Sequence, residues 1–370
     1  MFNFIVNKYK QQKIQNMPSN KIKQQALLNR LSNQNKLHRQ GPRQVQGPRQ
    51  VYRQVPRQGP RQVPRQGHRK VQNLVKSFNC LPIKYTSVFN KNVNKIINIY
   101  QPHYINGRSP GFGDYLRGCI CLYQISKVLN IEFDMDLSHH PLSSFLLNNN
   151  SNNIDYTNIS FYYNLNNINM QTTNPDFLNN FIDNLNTINE VTYSLFSNAF
   201  PIYSEITQEC KNFIKNKITP NNVIEQNIND ILNSMQLNKH NYSILHIRSG
   251  DNYLINDDNY NINYINKLYK IISQNTNNNT RYIILSDSIK LKKLIKLRFS
   301  NFYTELKQIT HIGELSINTS ESIINTLTDF YLMSYSQNII SISSYEWGSG
   351  FSEWCSIIYN IPYLKIVITK

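Results

Sequence analysis

The sequence predicts an α/β fold with two parallel-sheet domains behind a basic N-terminal tail. Two observations predict the domains: a strand–loop–helix–strand unit begins near residue 95, and strands alternate with helices through the last third of the chain. A third observation, a proline- and glycine-rich repeat over 40–72, predicts the tail. We expect a disordered tail at 1–78 and domains at 79–235 and 236–370.

The tail carries the whole charge imbalance of the chain. Its first 76 residues hold 17 Lys and Arg and no Asp or Glu, and the rest holds 22 basic and 22 acidic residues. The repeat has hardly any large apolar side chains, so it cannot bury enough surface to offset its conformational entropy. Two interpretations stay open: a spacer grown by repeat expansion, or a tether that makes weak contacts with nucleic acid or an anionic surface.

Cysteine usage and hydropathy bear on the compartment. The five cysteines form no CxxC pair and no zinc-ligand spacing, and their odd number argues against a complete disulfide framework. We find no secretory signal and no run of about 18 apolar residues, the length needed to span a membrane. These patterns predict a protein of the cytoplasm without a membrane span.

The first domain opens with a clear unit and then becomes harder to interpret. Strands are predicted at Lys95–Tyr100 and Ile131–Asp136, with a tight loop at Pro110–Asp114 and a helix at Tyr115–Asn130 between them. From 145 to 235 the sequence is rich in Asn, and only two stretches have helical spacing, Phe177–Leu185 and Val223–Met235.

The second domain has a regular alternation of elements. Strands are predicted at Tyr242–Ile247, Tyr282–Leu285, Asn338–Ile342 and Tyr363–Ile368; helices are predicted at Ile262–Ser273, Ser288–Leu297 and Glu321–Ser336. This order is typical of a parallel sheet covered by helices. Trp347 and Trp354 are predicted to be core or domain-interface residues.

Polar clusters follow three of these strands, in the position where parallel sheets bind ligands. They are His246–Asp251, Ser286–Ser288 and Ser341–Gly348. Arg248 offers a planar fork of donors to phosphate oxygens, and the hydroxyls of Ser343 and Ser344 can complete the cradle. The carboxylates of Asp287 and Asp329 are suited to accept hydrogen bonds from a guanine edge or a ribose hydroxyl. The pattern predicts a site for a nucleotide with a diphosphate.

These segments resemble the α1,2-, α1,6- and protein O-fucosyltransferase superfamily. His246–Asp251 is similar to its His-x-Arg-x-Gly-Asp motif, and Gly111–Asp114 before a helix is similar to its N-terminal Gly-x-Gly-Asn loop. Asp329–Ser334 followed by Ile339–Ser344 resembles its final nucleotide-binding segment. The resemblance spans about 95–369, with the middle unsupported.

The resemblance implies a GT-B-like pair of Rossmann-like domains, GDP-fucose as donor, a glycan or glycoprotein acceptor, inversion at the sugar carbon, and no required cofactor or metal. In that picture Arg248 holds the β-phosphate, His246 and Asp329 face the guanosine, and Asp287 supports the nucleotide pocket. Gly111 and Gly113 belong to the phosphate loop, or else form only a tight turn before the helix.

Two positions depart from the family pattern. Ser249 stands where a second Arg is usual, which leaves the donor sugar open, and Asp114 stands where Asn is usual. Asp114 is a candidate general base, because a carboxylate beside a diphosphate is repulsive unless it points towards the acceptor. Asp257 is a further candidate, chosen for its closeness to the His246–Asp251 motif.

The sequence is therefore consistent with three functions. The first is an inverting fucosyltransferase that uses GDP-fucose. The second is a degenerate transferase fold that acts as a nucleic-acid-binding or scaffold protein through its basic tail. The third is a transferase of another GDP-linked sugar, which nothing in the sequence separates from the first.

Overall fold

The computed structural model describes residues 85–100, 110–148, 160–162, 175–250, 260–307, 309, 311–313 and 319–368. The prediction of a disordered tail therefore lies outside the described residues. The described residues contain two parallel sheets with helices beside them. The α/β fold class with two parallel sheets is thus confirmed, and the boundary predicted between two domains at 235 stays a prediction.

The first sheet has four parallel strands. In chain order they are β1 (Lys95–Ile99), β2 (Glu132–Asp136), β3 (Ser160–Tyr162) and β4 (Thr192–Ser197). Their order across the sheet is β2-β1-β4-β3. Every strand pair in this sheet is parallel, so the carboxyl ends of all four strands lie at one edge.

The second sheet has five parallel strands. They are β5 (Ser243–Arg248), β6 (Tyr282–Ser286), β7 (Phe302–Tyr303), β8 (Ile339–Ser343) and β9 (Tyr363–Val367). They lie in the order β7-β6-β5-β8-β9, which is the Rossmann order 3-2-1-4-5. The chain reverses direction across the sheet between β5 and β8, and such a switch point opens a crevice at the strand ends.

Eight α-helices connect the described strands. They are α1 (Phe112–Leu129), α2 (Pro175–Asn186), α3 (Gln208–Lys217), α4 (Asn222–Ser234), α5 (Ile262–Asn275), α6 (Ile289–Arg298), α7 (Ser320–Ser334) and α8 (Gly350–Tyr359). Five of them begin at a side chain that accepts a hydrogen bond from the first turn: Thr207, Asn221, Asn261, Ser288 and Thr319. Such capping residues explain why these helices start where they do. None of the described helices combines the length and the apolar composition needed to cross a membrane.

Helices α1 and α8 bring the two sheets together. A Cβ atom added to Gly113 would lie 2.4 Å from the backbone oxygen of Gly350, so the two helix starts are in backbone contact. Gly118, further along α1, packs as closely on β4, because an added Cβ would lie 1.8 Å from the backbone oxygen of Ser197. One apolar cluster runs from Tyr115 in α1 to Trp354 in α8. The contacts of α1 with α8 and with β4 are therefore too close for a side chain at Gly113 or Gly118.

Every strand and helix predicted from periodicity is present, with ends shifted by at most a few residues. The structure adds β3, β4, β7, α3 and α8, which the sequence did not predict. Strand β7 has two residues, too short for a periodic signal, and β3 and β4 lie in the Asn-rich middle. Helix α8 begins at Gly350, two residues after Gly348, and glycines are typical of a loop.

Candidate functional site

A cavity of about 380 Å³ lies where the strand ends of the second sheet meet the starts of α1 and α8. This volume is in the range of small-molecule sites. We call His246, Arg248 and Asp287 the strand-end wall, and Asp114, Arg117 and Glu353 the helix wall. Besides these six residues, the lining includes Gly111, Gly113, Phe200, His311, Asp329, Tyr345, Trp347, Ser349, Gly350 and Phe351. The cavity therefore contains most of the residues predicted from sequence.

Arg248 is held in place by Asp287. Its guanidinium Nη1 donates to Asp287 Oδ2 at 2.7 Å, and the backbone N–H groups of Ser249 and Gly250 donate to the same carboxylate at 2.9–3.0 Å. The Asp287 side chain is 2% exposed and the Arg248 side chain 18%. Because its carboxylate is already bound to this loop, Asp287 serves to orient Arg248. The role implied by the resemblance, support of the nucleotide pocket, stays a prediction.

His246 lies in the floor of the cavity, on β5. The side chain is buried, and its Nδ1 atom has no hydrogen-bond partner among the residues that the structure describes. Burial, together with the positive charges of Arg248 and Lys292, lowers the pKa of His246 to about 3. The ring is therefore neutral at physiological pH, and one buried nitrogen is left for a ligand to satisfy.

Asp329 lines the cavity from α7. Burial raises the pKa of Asp329 from its ordinary value near 3.8 to about 6, although the charges of Lys292 and Lys307 act in the opposite direction. Asp329 is nevertheless only half-buried, because one side of the residue faces the cavity. A carboxylate in such a setting gains from a ligand that donates hydrogen bonds to its ionised form.

Two helix starts face the cavity without side-chain caps. The N-cap residue of α1 is Gly111 and that of α8 is Ser349, and neither makes a side-chain cap hydrogen bond. The other described α-helices with an assigned N-cap have one. Backbone N–H groups and the helix dipole make such starts suited to bind anions.

The two serines predicted to complete a phosphate cradle already form hydrogen bonds with backbone groups of nearby loops. Ser344 Oγ donates to the backbone oxygen of Ser249 at 2.7 Å. Ser343 is buried, and its Oγ accepts from the backbone N–H of Tyr345 at 3.0 Å. Both hydroxyls shape the loop after β8, and that of Ser344 also joins it to the loop after β5. The predicted contact of these serines with phosphate stays a prediction.

The helix wall contains two residues that sequence reasoning missed, Arg117 and Glu353. Arg117 Nη1 pairs with Asp114 Oδ1 at 2.9 Å, its Nε donates to the backbone oxygen of Asn198 at 2.7 Å, and its guanidinium lies 3.8 Å from the centre of the Phe200 ring. The hydroxyl of Tyr203 donates to Glu353 Oε1 at 3.4 Å. No motif marks these residues, because the packing of α1 on α8 brings them together.

Aromatic side chains form the mouth of the cavity. The rings of Tyr345 and Trp347 are stacked, with centroids 4.8 Å apart and planes 17° apart. Trp347 is 68% exposed, so it does not belong to the core, whereas Trp354 is buried as the sequence predicted. Asp257, predicted as a catalytic candidate, and Asp251 of the motif lie outside the described residues.

The comparisons with known proteins concern the fold. No protein-family model matches the sequence, and no curated protein matches it. Among solved structures, the chain is similar to the NodZ α-1,6-fucosyltransferase soaked with GDP-fucose, with 12% identity, a TM-score of 0.42, and coverage of 72% of this chain and 92% of that one. A FUT1 mutant from Arabidopsis thaliana in complex with GDP gives 8% identity, a TM-score of 0.46, and coverage of 74% and 70%.

A third solved structure, POFUT1 in complex with GDP, is similar over 76% of this chain and all of that one. Its identity is 9% and its TM-score is 0.38. These TM-scores, all below 0.5, describe a distant likeness in the path of the chain. The chemistry of this protein has to be argued from its own cavity.

Proposed function

We propose that this protein is an inverting glycosyltransferase that transfers fucose from GDP-fucose to a glycan or glycoprotein acceptor. One observation carries the proposal: the guanidinium of Arg248, fixed by Asp287, lies at the switch point of the second sheet, in a cavity that two uncapped helix starts also line. A fixed fork of donors beside helix N-termini is suited to a diphosphate.

The diphosphate would be bound by directed donors and not by net charge. Arg248 is already paired with Asp287, and the cavity also contains Asp114, Asp329 and Glu353. A phosphate oxygen therefore gains mainly from the guanidinium N–H groups and from backbone N–H groups at Ser349 and Gly350, where the dipole of α8 is positive. Such donors are fixed before the ligand arrives, which keeps the cost of ordering low.

The nucleoside would be bound by Asp329 and His246. The ionised carboxylate of Asp329 can accept from two neighbouring N–H groups, which is the pattern that the guanine edge offers. Neutral His246 can satisfy its unpartnered Nδ1 with a ligand hydroxyl. Both residues stand in the segments that resemble the fucosyltransferase superfamily, and this resemblance is the basis for naming guanosine and fucose.

Transfer then needs an acceptor hydroxyl on the side of the sugar opposite the diphosphate. The acceptor oxygen forms a bond with C1 of fucose while the bond from C1 to the β-phosphate oxygen breaks, and its electron pair leaves with GDP. Arg248 would stabilise the negative charge that develops on the leaving phosphate, an electrostatic role that depends on prior orientation. In this proposal the protein's own groups suffice, with no cofactor or metal.

The test is release of GDP from donor sugars by the purified full-length chain. We expect release from GDP-fucose, with slower release from GDP-mannose and none from UDP-galactose. Arg248→Ala is expected to lower the rate by about 100-fold or more, since loss of one charge-stabilising donor has effects of this size. Arg248→Lys keeps the charge and loses the fork, so an intermediate rate is expected.

Arg298→Ala is the matched control, because Arg298 is an exposed arginine at the end of α6. It is expected to behave as the wild type. Faster release from GDP-mannose would instead favour a transferase of another GDP-linked sugar. A folded wild-type chain that neither binds GDP nor releases it from any donor would contradict the proposal.

A further inference from the structure

The proposed transfer needs a group that accepts the proton of the acceptor hydroxyl, and the helix wall offers two carboxylates. Asp114 lies in the first turn of α1 and Glu353 in the first turn of α8. Both line the cavity. Arg117 is the cation between them, since its charge affects the pKa of Glu353 and its Nη1 pairs with Asp114. The two carboxylates differ in what already binds them.

Asp114 is engaged by a guanidinium. The ion pair with Arg117 has an N–O distance of 2.9 Å, and the arginine side chain in this pair is only 11% exposed. Arg117 is itself fixed by the backbone oxygen of Asn198 and by the ring of Phe200. The ion pair occupies Oδ1 of Asp114, so fewer acceptor positions remain on this carboxylate for a ligand hydroxyl.

Glu353 is held more loosely. Within the described residues, its carboxylate accepts one hydrogen bond, from the hydroxyl of Tyr203, at the long distance of 3.4 Å. The Tyr203 ring rests on Trp354, with ring centroids 5.3 Å apart, so the hydroxyl is positioned from the protein side. The carboxylate thus has capacity left for a hydrogen bond from a ligand in the cavity.

Resting on the proposed function, we infer that Glu353 is the catalytic base, the group that takes the proton from the acceptor hydroxyl. In the transfer step the acceptor O–H bond breaks, its proton moves to a carboxylate oxygen of Glu353, and the acceptor oxygen bonds to C1 of fucose. The bond between C1 and the β-phosphate oxygen breaks at the same time, and GDP leaves with the electron pair. Asp114 and Arg117 become positioning residues of the helix wall.

The surroundings of Glu353 suit this role. Burial raises the pKa of Glu353, the negative charge of Asp114 raises it further, and Lys365, Tyr203 and Arg117 lower it. A base with a pKa moved towards neutral is more effective than an ordinary carboxylate. The titratable and charged groups facing Glu353 from the packed elements are Asp114 and Arg117 on α1, Tyr203 after β4, and Tyr363 and Lys365 on β9.

The test uses the full-length chain, with GDP-fucose as donor and water as acceptor, and records GDP release from pH 4.5 to 8. Glu353→Gln is expected to lower kcat by about 100-fold and leave KM for GDP-fucose within about twofold. The wild-type rate falls at low pH, where Glu353 is protonated and cannot accept a proton. This acid limb in kcat is expected to vanish in Glu353→Gln.

A second variant tests the base without removing it. Tyr203→Phe deletes the hydrogen bond that favours ionised Glu353, so the acid limb of kcat is expected to move to higher pH. A structural role for Glu353 would not cause such a shift. Because Asp329 also titrates in the cavity, and is proposed to bind the nucleoside, its effect is expected in KM and not in kcat.

Glu321→Gln is the matched control, because Glu321 is an exposed acid in the first turn of α7. It is expected to keep the wild-type kcat and acid limb, and Asp114→Asn is expected to lose less than about tenfold in kcat. A Glu353→Gln chain that keeps the wild-type kcat, or an unmoved acid limb in Tyr203→Phe, overturns the inference and leaves the proposed function standing. Failure of the proposed function is separate: the wild type itself then neither binds nor cleaves GDP-fucose.

Discussion

Asp287 in the strand-end wall and Glu353 in the helix wall differ in how many hydrogen bonds their carboxylates already accept. In the strand-end wall, Asp287 has a structural role. Its carboxylate accepts hydrogen bonds from Arg248 and from two backbone N–H groups within 3.0 Å. In the helix wall, Glu353 accepts one hydrogen bond from the described part of the chain, at 3.4 Å. A saturated carboxylate fixes a neighbour, whereas an unsaturated one remains free to react. The number of hydrogen bonds that a carboxylate already accepts therefore indicates its role better than its position in the cavity does.

The largest expected effect tests the contact that assembles the helix wall. Gly113→Ala would place a Cβ 2.4 Å from the backbone oxygen of Gly350, and backbone cannot move aside as a flexible side chain can. We expect a loss of about 3 kcal/mol in the free energy of unfolding, the upper part of the range for overpacking. Chemical denaturation measures it.

Gly111→Ala is the control for this variant, because its added Cβ would meet side chains and not backbone: His311 at 3.3 Å and Asp114 at 3.9 Å. Its backbone has a φ of −60°, which alanine adopts without strain. We expect it to cost less than about 1 kcal/mol. Equal losses in the two variants would show that the start of α1 does not depend on contact with α8.

A smaller effect is expected from Asp287→Asn, which tests the strand-end wall. The amide group would turn an N–H donor towards Arg248 or towards the backbone N–H groups of the loop, and a buried donor without an acceptor costs about 1–3 kcal/mol. Because Arg248 loses its orientation, we also expect GDP affinity to fall by about tenfold. Denaturation and calorimetric titration measure the two quantities.

Asp134→Asn is the matched control for that loss. Asp134 is an ion-paired acid on β2, held by Lys95 and Lys217 at 3.2 and 2.6 Å, and it does not line the cavity. It should lose stability without any change in GDP affinity. If Asp287→Asn keeps the wild-type affinity, the account of Asp287 as the anchor of Arg248 is wrong.

The smallest effect concerns Asp329, whose folded-state pKa of about 6 lies above its ordinary value near 3.8. The folded state therefore binds more protons between these values, so the contribution of Asp329 to stability is present below about pH 4 and is lost as the pH rises through 6. Asp329→Asn removes this loss and should raise the free energy of unfolding at pH 7 by about 1 kcal/mol, less than the pKa shift alone implies because the carboxylate partly faces solvent.

Melting temperatures at pH 5 and pH 7 measure the effect of Asp329. The gain should appear at pH 7 and shrink at pH 5, while Asp183→Asn, on an exposed face of α2, should change neither. His246 titrates with the opposite sign in this range, but it is common to both chains and cancels in the difference. An Asp329→Asn chain that is less stable at pH 7 would show that the ionised carboxylate is compensated in the folded protein.

The strand-end wall could be predicted from the sequence because its residues follow directly after strands. Arg248 and His246 stand within two residues of each other on β5, and a parallel sheet brings Asp287 to the same edge. The role of Asp287 could not be predicted, because it depends on the backbone N–H groups of a loop that only the fold brings near. The sequence therefore predicts which residues form this wall but not the hydrogen bonds between them.

Apart from Asp114, the helix wall could not be predicted in the same way. Arg117 and Glu353 lie on helices distant in the chain, and they meet because Gly113 and Gly350 let two helix starts touch. Neither residue belongs to a local motif, and α8 itself begins at Gly350, a residue type that is typical of a loop. Packing between distant segments brings Arg117 and Glu353 to the cavity, and a pattern within one segment cannot predict such packing.

The GDP-sugar site at Arg248 is tested most directly by the melting temperature of the full-length chain. It is measured with GDP, GDP-fucose and UDP, in wild type and in Arg248→Ala. A ligand that binds only the folded state at 100 times its Kd adds about 2.7 kcal/mol to the free energy of unfolding. We predict a rise of several degrees with GDP and GDP-fucose, none with UDP, and no rise in Arg248→Ala. Equal rises in both chains, or no rise with GDP, would contradict a GDP-sugar site at Arg248.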